Sequence, residues 1–285
     1  MIELTRVAAL DVSAASGLCL IGDGVCVIAD DENFLALYGL DGRPRRRVAL
    51  LPGQLPATHA ERKRLKPDFE TLVALPDGRL LALGSGSTPA RMRGVLVDPA
   101  RGWQVRVIDL APLYAALGAR LPELNIEGGA VRDDRLLLLQ RGNGSARVNA
   151  CIELALARVL AAIERSGAIE PDAIGGVERV FLGELAGVAL SFTDAAVHPD
   201  GRLLFSAAAE DTADTYADGV CTGSVLGWLD AGHAVRDAQP LHPTCKIEGI
   251  ACSAGAGATT ALWLVADADD RSIPALLYRA ELPGR

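Results

Sequence analysis

The sequence predicts an all-β protein, a single β-propeller of five four-stranded blades with one or two short helices inserted between blades. Three observations predict this fold: a recurring pair of short apolar strands, a repeat spacing that closes on itself, and the absence of a Pro/Gly/Ser-rich linker. The chain has 285 residues, of which 50% are hydrophobic, and a net charge of −8. This composition is typical of a folded globular protein, and we expect one domain over residues 1–285.

Composition also excludes several classes of protein. No apolar run reaches the roughly 20 residues that a transmembrane helix needs, and the N-terminus lacks the basic and apolar regions of a secretory signal. We therefore expect a cytoplasmic protein without a membrane partner. The negative charge argues against nucleic acid as a partner, and six cysteines without CxxC spacing do not predict a disulfide scaffold or a zinc ribbon.

The repeat consists of an apolar strand, a tight turn such as Pro-Asp-Gly-Arg, a second apolar strand and a polar cluster. Asp-Gly between apolar runs indicates a hairpin, because glycine accepts the positive φ that the turn requires. Four clear copies and one fainter copy occupy residues 68–87, 125–144, 191–211, 246–270 and, for the fainter one, 15–33.

One residue of each copy, just before its small or apolar run, serves as the anchor of the repeat. The anchors are Ser16, Glu70, Glu127, Thr193 and Glu248. They are separated by 54, 57, 66 and 55 residues, and the gap through the chain ends is 53 residues. Equal spacing across the ends is what a closed ring requires and an open solenoid does not, and periods of this length suit four-stranded blades.

Further apolar runs supply the outer strands of the blades. They lie at residues 34–40, 44–51, 93–98, 103–109 and 274–281. The last unit then lacks its outer strand, which we expect residues 2–9 to supply, so that the N-terminus closes the ring. Six blades is the alternative, if the long segment 145–190 contains a further blade.

Two segments show helical rather than strand periodicity. Residues 151–167 have apolar positions at helical spacing and end in Ser-Gly, and residues 109–121 show the same pattern more weakly. We expect surface helices that cover blade edges. The alternative is a face that binds a protein partner, so such a partner is not excluded.

The ring predicts where the chemistry lies. The first strand of a blade lines the central channel, so the five anchors should form one layer around the axis at one face. The polar clusters that end the second strands, which include Ser85, Arg141 and Asn143, should lie just above this layer. The turns between these strands, with His198 among them, fall on the opposite face and are interpreted as structural.

Three glutamates in one narrow channel require compensation. At about 7 Å and an effective dielectric of about 20, each pair repels by about 2–2.5 kcal/mol. An all-oxygen ring suits a hard cation, Ca²⁺ before Mg²⁺, with Glu70, Glu127 and Glu248 as ligands and Ser16, Thr193 and Asp194 as further candidates. The alternatives are glutamates that cap backbone N–H groups around a water-filled channel, and a ring neutralised by Arg141.

Other residues near this face are candidates for binding and proton transfer. His59 and His242 are predicted in loops at the acidic face, where either could act as an acid or base, as could Asp194. Lys66, Arg91, Arg93 and Arg141 could orient an anionic substrate, with Ser85 and Asn143 beside them. The alternative is a solvated charge run that balances an acidic face. A serine nucleophile is poorly supported, because the Gly-Ser-Gly-Ser at 84–87 lacks the spacing and the following helix.

The repeated motifs resemble those of bacterial phytase-like, also called esterase-like, β-propeller proteins. The resemblance covers nearly the whole chain and rests on the Glu-Gly and Glu-Thr anchors, the Pro-Asp-Gly-Arg turns, and the stretches KPDFETL, GSGS, NIEG, FTDAA, AAAEDT and KIEG. The anchors are more distantly similar to the Glu-Gly motif of gluconolactonase and regucalcin-type propellers, which hold one divalent ion in the channel. This resemblance implies Glu70, Glu127 and Glu248 as metal ligands. The fourth copy departs from it, because its acid, Asp194, stands one position after the anchor.

Two functions follow as hypotheses. The first is a metal-dependent hydrolase of a small anionic ester, phosphoester or lactone at the channel. The second is a non-catalytic ligand-binding or scaffold propeller with a structural cation or water in the channel.

Overall fold

The computed structural model describes residues 1–211 and 219–283 and contains the predicted β-propeller of five blades. Within each blade the four consecutive strands pair antiparallel. The innermost strand of every blade contacts the innermost strands of both neighbouring blades, so the five inner strands surround a common axis.

The strands and helices are numbered along the chain. Two strands precede the blades: β1 (Ile2–Glu3) and β2 (Thr5–Ala9). Blade 1 contains β3 (Ala15–Ile21), β4 (Gly24–Ala29), β5 (Phe34–Gly39) and β6 (Pro44–Ala49). Blade 2 contains β7 (Phe69–Ala74), β8 (Leu80–Gly84), β9 (Arg93–Asp98) and β10 (Gln104–Asp109). Blade 3 contains β11 (Ile126–Arg132), β12 (Arg135–Gln140), β13 (Ala150–Ala155) and β14 (Ile174–Arg179).

A two-residue strand, β15 (Glu184–Leu185), precedes the fourth blade and pairs with its first strand. Blade 4 contains β16 (Val188–Val197), β17 (Leu203–Asp211), β18 (Val220–Leu229) and β19 (Val235–His242). Blade 5 contains β20 (Lys246–Ala254), β21 (Thr260–Asp267) and β22 (Leu276–Leu282), with β2 as its outer strand. The helices are α1 (His59–Leu65), α2 (Ala111–Gly118) and α3 (Leu156–Ser166).

The core lies between the faces of adjacent blades. All five residues of β8 are buried, as are all six of β4, because the second strand of a blade is covered by sheets on both faces. The outer strands show the opposite pattern: in β6 only Val48 is buried. Cys19 and Cys26 face one another across β3 and β4, and both are free buried thiols.

The N-terminal segment, residues 2–9, pairs with strands of two blades, whereas pairing with one blade was predicted. Residues 5–9 pair antiparallel with β22, the position predicted for them. Ile2 and Glu3 instead pair parallel with the last strand of blade 4, opposite Leu241 and His242. The buried Leu4 stands between the two pairings, and its backbone N–H donates to the carbonyl of His242 at 2.6 Å. The segment therefore covers the edges of blades 4 and 5.

The segment 145–190 contains the outer strands of blade 3 and no sixth blade. Residues 150–155 form β13, so the helix predicted over 151–167 begins only at Leu156. The helix predicted at 109–121 is present as α2, after the last residue of β10. The loop predicted at 59–70 contains α1, whose residues are mostly charged and gave no apolar periodicity. Among the described residues no helix is long and apolar enough to cross a membrane.

Candidate functional site

All five anchors sit at the same irregularity of their strands. The register between the first and second strand of each blade shifts by one residue, and the residue that bulges out is the anchor. A bulge redirects a side chain that strict alternation would place against the neighbouring blade. The five bulges therefore explain why one position of the repeat faces the channel in every blade.

Four anchors line one cavity of about 130 Å³, here called the mouth cavity, at the end of the channel where the inner strands begin. Nine carboxylates and seven cationic side chains line it, so the lining is densely charged with an acidic excess. The carboxylates are Asp30, Asp31, Asp68, Glu70, Glu127, Glu248, Asp267, Asp269 and Asp270. The cations are Arg62, Lys63, Lys66, Arg91, Arg141, Lys246 and Arg271.

One part of the cavity is organised around the buried Arg141 guanidinium. Its Nη1 lies 3.2 Å from Glu127 Oε2 and 3.7 Å from Glu248 Oε1, and its Nη2 lies 2.5 Å from Glu210 Oε2. All of these side chains are buried. Arg141 therefore supplies the positive charge that Glu127 and Glu248 require, as in the neutralised ring considered from the sequence.

Lys246 extends this network toward the rim. Its ammonium lies 3.0 Å from Glu248 Oε1 and donates to Asp269 Oδ1 at 2.7 Å. We call the group of Arg141, Lys246, Glu127, Glu210 and Glu248 the Arg141 side of the cavity. Two cations share these three glutamates, so this side is largely neutralised by the chain itself.

The opposite part contains Glu70, Asp30 and Asp68 with the cations Lys66 and Arg91, and we call it the Glu70 side. Lys66 Nζ contacts Asp30 Oδ2 and lies 2.9 Å from Asp68 Oδ1, while Arg91 Nη1 lies 2.9 Å from Asp68 Oδ2. Glu70 is buried, with only 9% of its surface exposed. It nevertheless has no hydrogen-bond or ion-pair partner among the described residues. Its carboxylate is the least compensated of the three ring glutamates.

The Glu70 side contains a small acidic cluster that could hold a metal ion. One oxygen each of Asp30, Asp68 and Glu70 lie within 4.8 Å of one another. Two oxygens on opposite sides of a calcium ion are about 4.6–5.2 Å apart, since each Ca–O distance is about 2.3–2.6 Å. The oxygen donor set therefore fits a hard cation, with Lys66 occupying part of the same space.

Burial shifts the ionisation of several carboxyls in the cavity. Burial raises the pKa of Glu70 well above its usual value, and the charges of Glu127 and Asp68 add to this effect. Burial also raises the pKa of Glu127 to about 7, against the opposing charge of Arg141, and that of Asp30 to about 6, against the charge of Lys66. The pKa of Asp267 rises to about 8 through burial and the neighbouring Asp269.

No carboxylate among the described residues of the fourth blade lines the mouth cavity itself, although Glu210 of β17 pairs with Arg141. Thr193 is the bulged anchor of this blade, but its hydroxyl is 2.8 Å from that of Ser206 and it does not line the cavity. Asp194 accepts hydrogen bonds from the backbone N–H groups of Ala195 and Ile250, both at 2.8 Å. Its carboxylate thus caps backbone groups of two inner strands.

The predicted proton-transfer histidines are not brought to the cavity where the structure describes them. His242 is exposed at the end of β19 and does not line the cavity. His59 begins α1, and its side chain lies outside the described part of the chain. Of the predicted binding residues, Lys66, Arg91, Arg141 and Asn143 line the cavity, whereas Ser85 and Arg93 do not. Ser85 is buried and donates to Asp68 Oδ2 at 2.5 Å, and Arg93 is exposed.

Among the lining residues that were not singled out from the sequence, Asp68, Asn125 and Lys246 share one position of the repeat. Each stands two positions before an anchor glutamate, and all three line the cavity. Asn125 directly contacts the anchor that follows it, because its Nδ2 donates to Glu127 Oε1 at 2.6 Å. The period of two in an extended chain places residues i and i+2 on the same face, and this signal could have identified all three.

The fold and this cavity define the protein as a five-bladed β-propeller with a charged channel mouth. The chain belongs to a family described as a family of unknown function (DUF6929), which matches residues 11–282. No curated protein matches the sequence. The resemblance to phytase-like propellers stays a prediction, because the description of the matched family does not name them.

Solved structures similar to this chain are β-propellers at low sequence identity. Myxococcus xanthus glutaminyl cyclase is 12% identical with a TM-score of 0.54, and the alignment covers 100% of this chain and 99% of that chain. A structural-genomics protein of unknown function from Bacteroides thetaiotaomicron is 14% identical with a TM-score of 0.51, covering 99% and 73%. A luciferin-regenerating enzyme is 13% identical with a TM-score of 0.47, covering 98% and 81%. These neighbours include enzymes, and at such identities the likeness concerns the fold.

Proposed function

We propose that the mouth cavity is the site of a cation-dependent hydrolase that acts on a small anionic ester, phosphoester or lactone. The observation that carries the proposal is the cluster of Asp30, Asp68 and Glu70, whose oxygens lie within 4.8 Å of one another while Glu70 has no partner among the described residues. A buried carboxylate without a partner is costly, and a divalent cation would remove that cost. We propose Ca²⁺ before Mg²⁺, because the donors are oxygens on separate strands and loops.

The metal ligands proposed here differ in part from the predicted set. Glu70 is common to both. Glu127 and Glu248 already share Arg141, and a divalent ion between them would be repelled by the guanidinium. Their role as ligands of the same ion therefore stays a prediction, and Asp30 and Asp68 are the better candidates.

A bound divalent cation would polarise an ester oxygen and lower the pKa of a water molecule. The chain itself supplies a group for proton transfer, because Glu127 lines the same cavity and its pKa is raised to about 7. A group with a pKa near the working pH exchanges protons most efficiently. Asn125 holds Oε1 of Glu127 and Arg141 lies against Oε2, so the carboxyl is fixed in orientation.

Arg91 is the cation best placed for an anionic substrate on this side. It lines the cavity, and Ser87 Oγ and Asp68 Oδ2 hold its Nη1 at 2.8 and 2.9 Å. Its Nη2 donates to the carbonyl of Lys63, and a guanidinium held in this way can attract and orient a phosphate or carboxylate. Lys66, Arg141 and Asn143 complete the polar lining available to such a molecule.

The second candidate function is a non-catalytic propeller that binds a ligand or serves as a scaffold. It is favoured by the internal neutralisation of the cavity, since Arg141, Lys246 and Lys66 compensate most of its carboxylates without any added ion. It is also favoured by Asp194, whose carboxylate caps backbone N–H groups.

Metal titration of the purified full-length protein separates the two functions. After treatment with chelator, addition of millimolar CaCl₂ should raise the melting temperature of the wild type and restore hydrolysis in a panel of p-nitrophenyl acetate and p-nitrophenyl phosphate. Glu70→Gln should lose both responses, and Asp172→Asn, at an exposed aspartate, should keep both. At a hundredfold excess over the dissociation constant the stabilisation would be about 2.7 kcal/mol.

Two results would contradict the proposed hydrolase. If neither Ca²⁺ nor Mg²⁺ changes the melting temperature of the wild type, the acidic cluster is not a metal site. If Ca²⁺ stabilises the protein but chelator leaves hydrolysis unchanged, the ion is structural and the second candidate function is favoured.

A further inference from the structure

Glu248 has one carboxylate oxygen that the chain does not satisfy. Oε1 contacts Lys246 and Arg141, whereas Oε2 is buried and has no hydrogen-bond partner among the described residues. The side chain as a whole is 5% exposed and lines the mouth cavity. A buried acceptor in this state requires a donor from a molecule in the cavity.

Asp267 and Ser16 add further acceptors to the same cavity. Asp267 lies opposite Lys246 in the ladder between β20 and β21, and it lines the cavity half-buried. Ser16 donates its hydroxyl proton to the carbonyl of Phe69 at 2.5 Å, so it can offer a ligand only oxygen lone pairs. Glu248 Oε2, Asp267 and Ser16 therefore offer acceptors to a molecule in this part of the cavity.

The open acceptors of this region favour an ammonium group over a divalent ion. The ammonium of Lys246 lies 3.0 Å from Glu248 Oε1, so any cation bound at Oε2 is close to it. Repulsion from Lys246 and attraction to the carboxylates both scale with the charge of the ion, but Ca²⁺ takes about six to eight oxygen ligands and Mg²⁺ an octahedral set, more than Glu248 Oε2 and Asp267 supply. A neutral hydroxyl would donate only one hydrogen bond. A primary ammonium group donates three hydrogen bonds and carries a single positive charge.

We infer that Glu248 Oε2 and the carboxylate of Asp267 form a subsite for a primary ammonium group of the ligand. The inference deepens the proposed function. It rests on that function only in taking the bound amine to be the substrate of the hydrolase. The substrate class is then a small ester or phosphoester that also carries a free amine, with its ammonium group at Glu248 and its reacting group toward Glu70. Burial and Asp269 raise the pKa of Asp267 to about 8 against the opposing charge of Lys246, and a bound ammonium group would lower it.

The subsite can be tested without any assumption about catalysis. Metal-free full-length protein is titrated with n-propylammonium chloride, or with the neutral analogue 1-propanol, in an amine-free buffer containing chelator, and binding is followed by NMR shifts or calorimetry. We expect saturable binding of propylammonium that is at least tenfold tighter than that of 1-propanol. Glu248→Gln should weaken it at least tenfold, and Glu281→Gln, at an exposed glutamate, should leave it unchanged.

Two further variants keep the test decisive. Asp267→Asn should weaken propylammonium binding severalfold, and it provides the result if Glu248→Gln does not fold. Glu70→Gln should bind propylammonium as the wild type does while losing the response to Ca²⁺, so failure of the metal site and failure of the ammonium subsite are distinguishable. Equal affinity for propylammonium and 1-propanol, or wild-type affinity in both Glu248→Gln and Asp267→Asn, would overturn the inference.

Discussion

Glu70 and Glu127 occupy the same position in blades 2 and 3, at the bulge of the innermost strand, and both are buried. Glu127 receives a hydrogen bond from Asn125 and lies 3.2 Å from Arg141, whereas Glu70 has no such partner among the described residues. The difference arises in the residues around them. In blade 3, Arg141 directly follows β12, and in blade 2 the corresponding place after β8 is taken by Ser85.

This comparison shows how one repeat produces two kinds of site. The backbone bulge delivers a carboxylate to the channel in both blades, and the first residue after the second strand decides whether that carboxylate is neutralised. Where the residue is arginine, the ring is closed by internal ion pairs. Where it is serine, the carboxylate stays available for a cation from solution, and this asymmetry underlies the proposed function.

Removal of the Arg141 guanidinium should have the largest effect on stability. Arg141→Met leaves Glu127, Glu210 and Glu248 without their shared cation. Breaking a buried ion pair by removing one partner costs about 3–5 kcal/mol, so we expect a loss of this size in the free energy of unfolding, measured with urea. Arg106→Met serves as the control, because its ion pair with Glu164 is exposed. A loss below about 1 kcal/mol would show that the Arg141 side is not held together by its ion pairs.

The two equivalent glutamates should respond by different amounts to the same substitution. In chelator at pH 8, Glu127→Gln should change the free energy of unfolding by less than about 0.5 kcal/mol, because removing a buried carboxylate whose pKa is about 7 is offset by losing its contacts with Arg141 and Asn125. Glu70→Gln should raise it by about 1 kcal/mol, because it removes a buried carboxylate whose pKa is raised by burial. Urea unfolding of both variants beside the wild type measures the difference.

Equal changes in these two variants would contradict the comparison between the two sides. A loss of stability in both would indicate that Glu70 also has a stabilising role, such as a hydrogen bond to ordered water. A gain in both would indicate that Arg141 does not compensate Glu127 at this pH.

The fold could be predicted from the sequence because its information is local and repeated. Asp-Gly turns between apolar runs define each inner hairpin, and the equal spacing of the anchors defines the closure. Helix α1 was not predicted, because its mostly charged residues give no apolar periodicity. Residues 151–155 were predicted as helix because a buried apolar strand that leads directly into a helix has no boundary in its hydrophobic pattern.

The candidate site was predicted in part, to the extent that it follows from strand alternation. Four of the five anchors line the mouth cavity, since each faces the axis at its bulge. The partners of those anchors come from other blades, as with Glu210 and Arg141, which are 69 positions apart. No local pattern specifies which cation meets which carboxylate across the channel. Arg141 was nonetheless identified as a possible neutralising residue, because a ring of glutamates must obtain positive charge from somewhere.

The most gradual expected effect is a pH dependence of stability that originates at Asp267. Its pKa is raised from 3.8 to about 8 by burial and by Asp269, so between these pH values the folded protein holds a proton that the unfolded chain has lost. The free energy of unfolding therefore falls as pH rises from about 4 to about 8, by at most about 1.4 kcal/mol per pH unit from this one group. Asp267→Asn should reduce that slope and should raise stability most at pH 8 and above.

Asp270, three residues away in the same loop, provides the matched comparison. Hydrogen bonds from the side chain and backbone of Ser272 lower its pKa, so its small contribution has the opposite sign and is lost as pH falls through that lowered value. Asp270→Asn should therefore leave the slope between pH 5 and 8 unchanged. Thermal unfolding of both variants at half-unit pH steps measures the two slopes. If Asp267→Asn keeps the wild-type slope, the pH dependence comes from the other buried carboxyls of the cavity, with Glu127 and Asp30 as the next to substitute, because their pKa values of about 7 and about 6 also lie in this range.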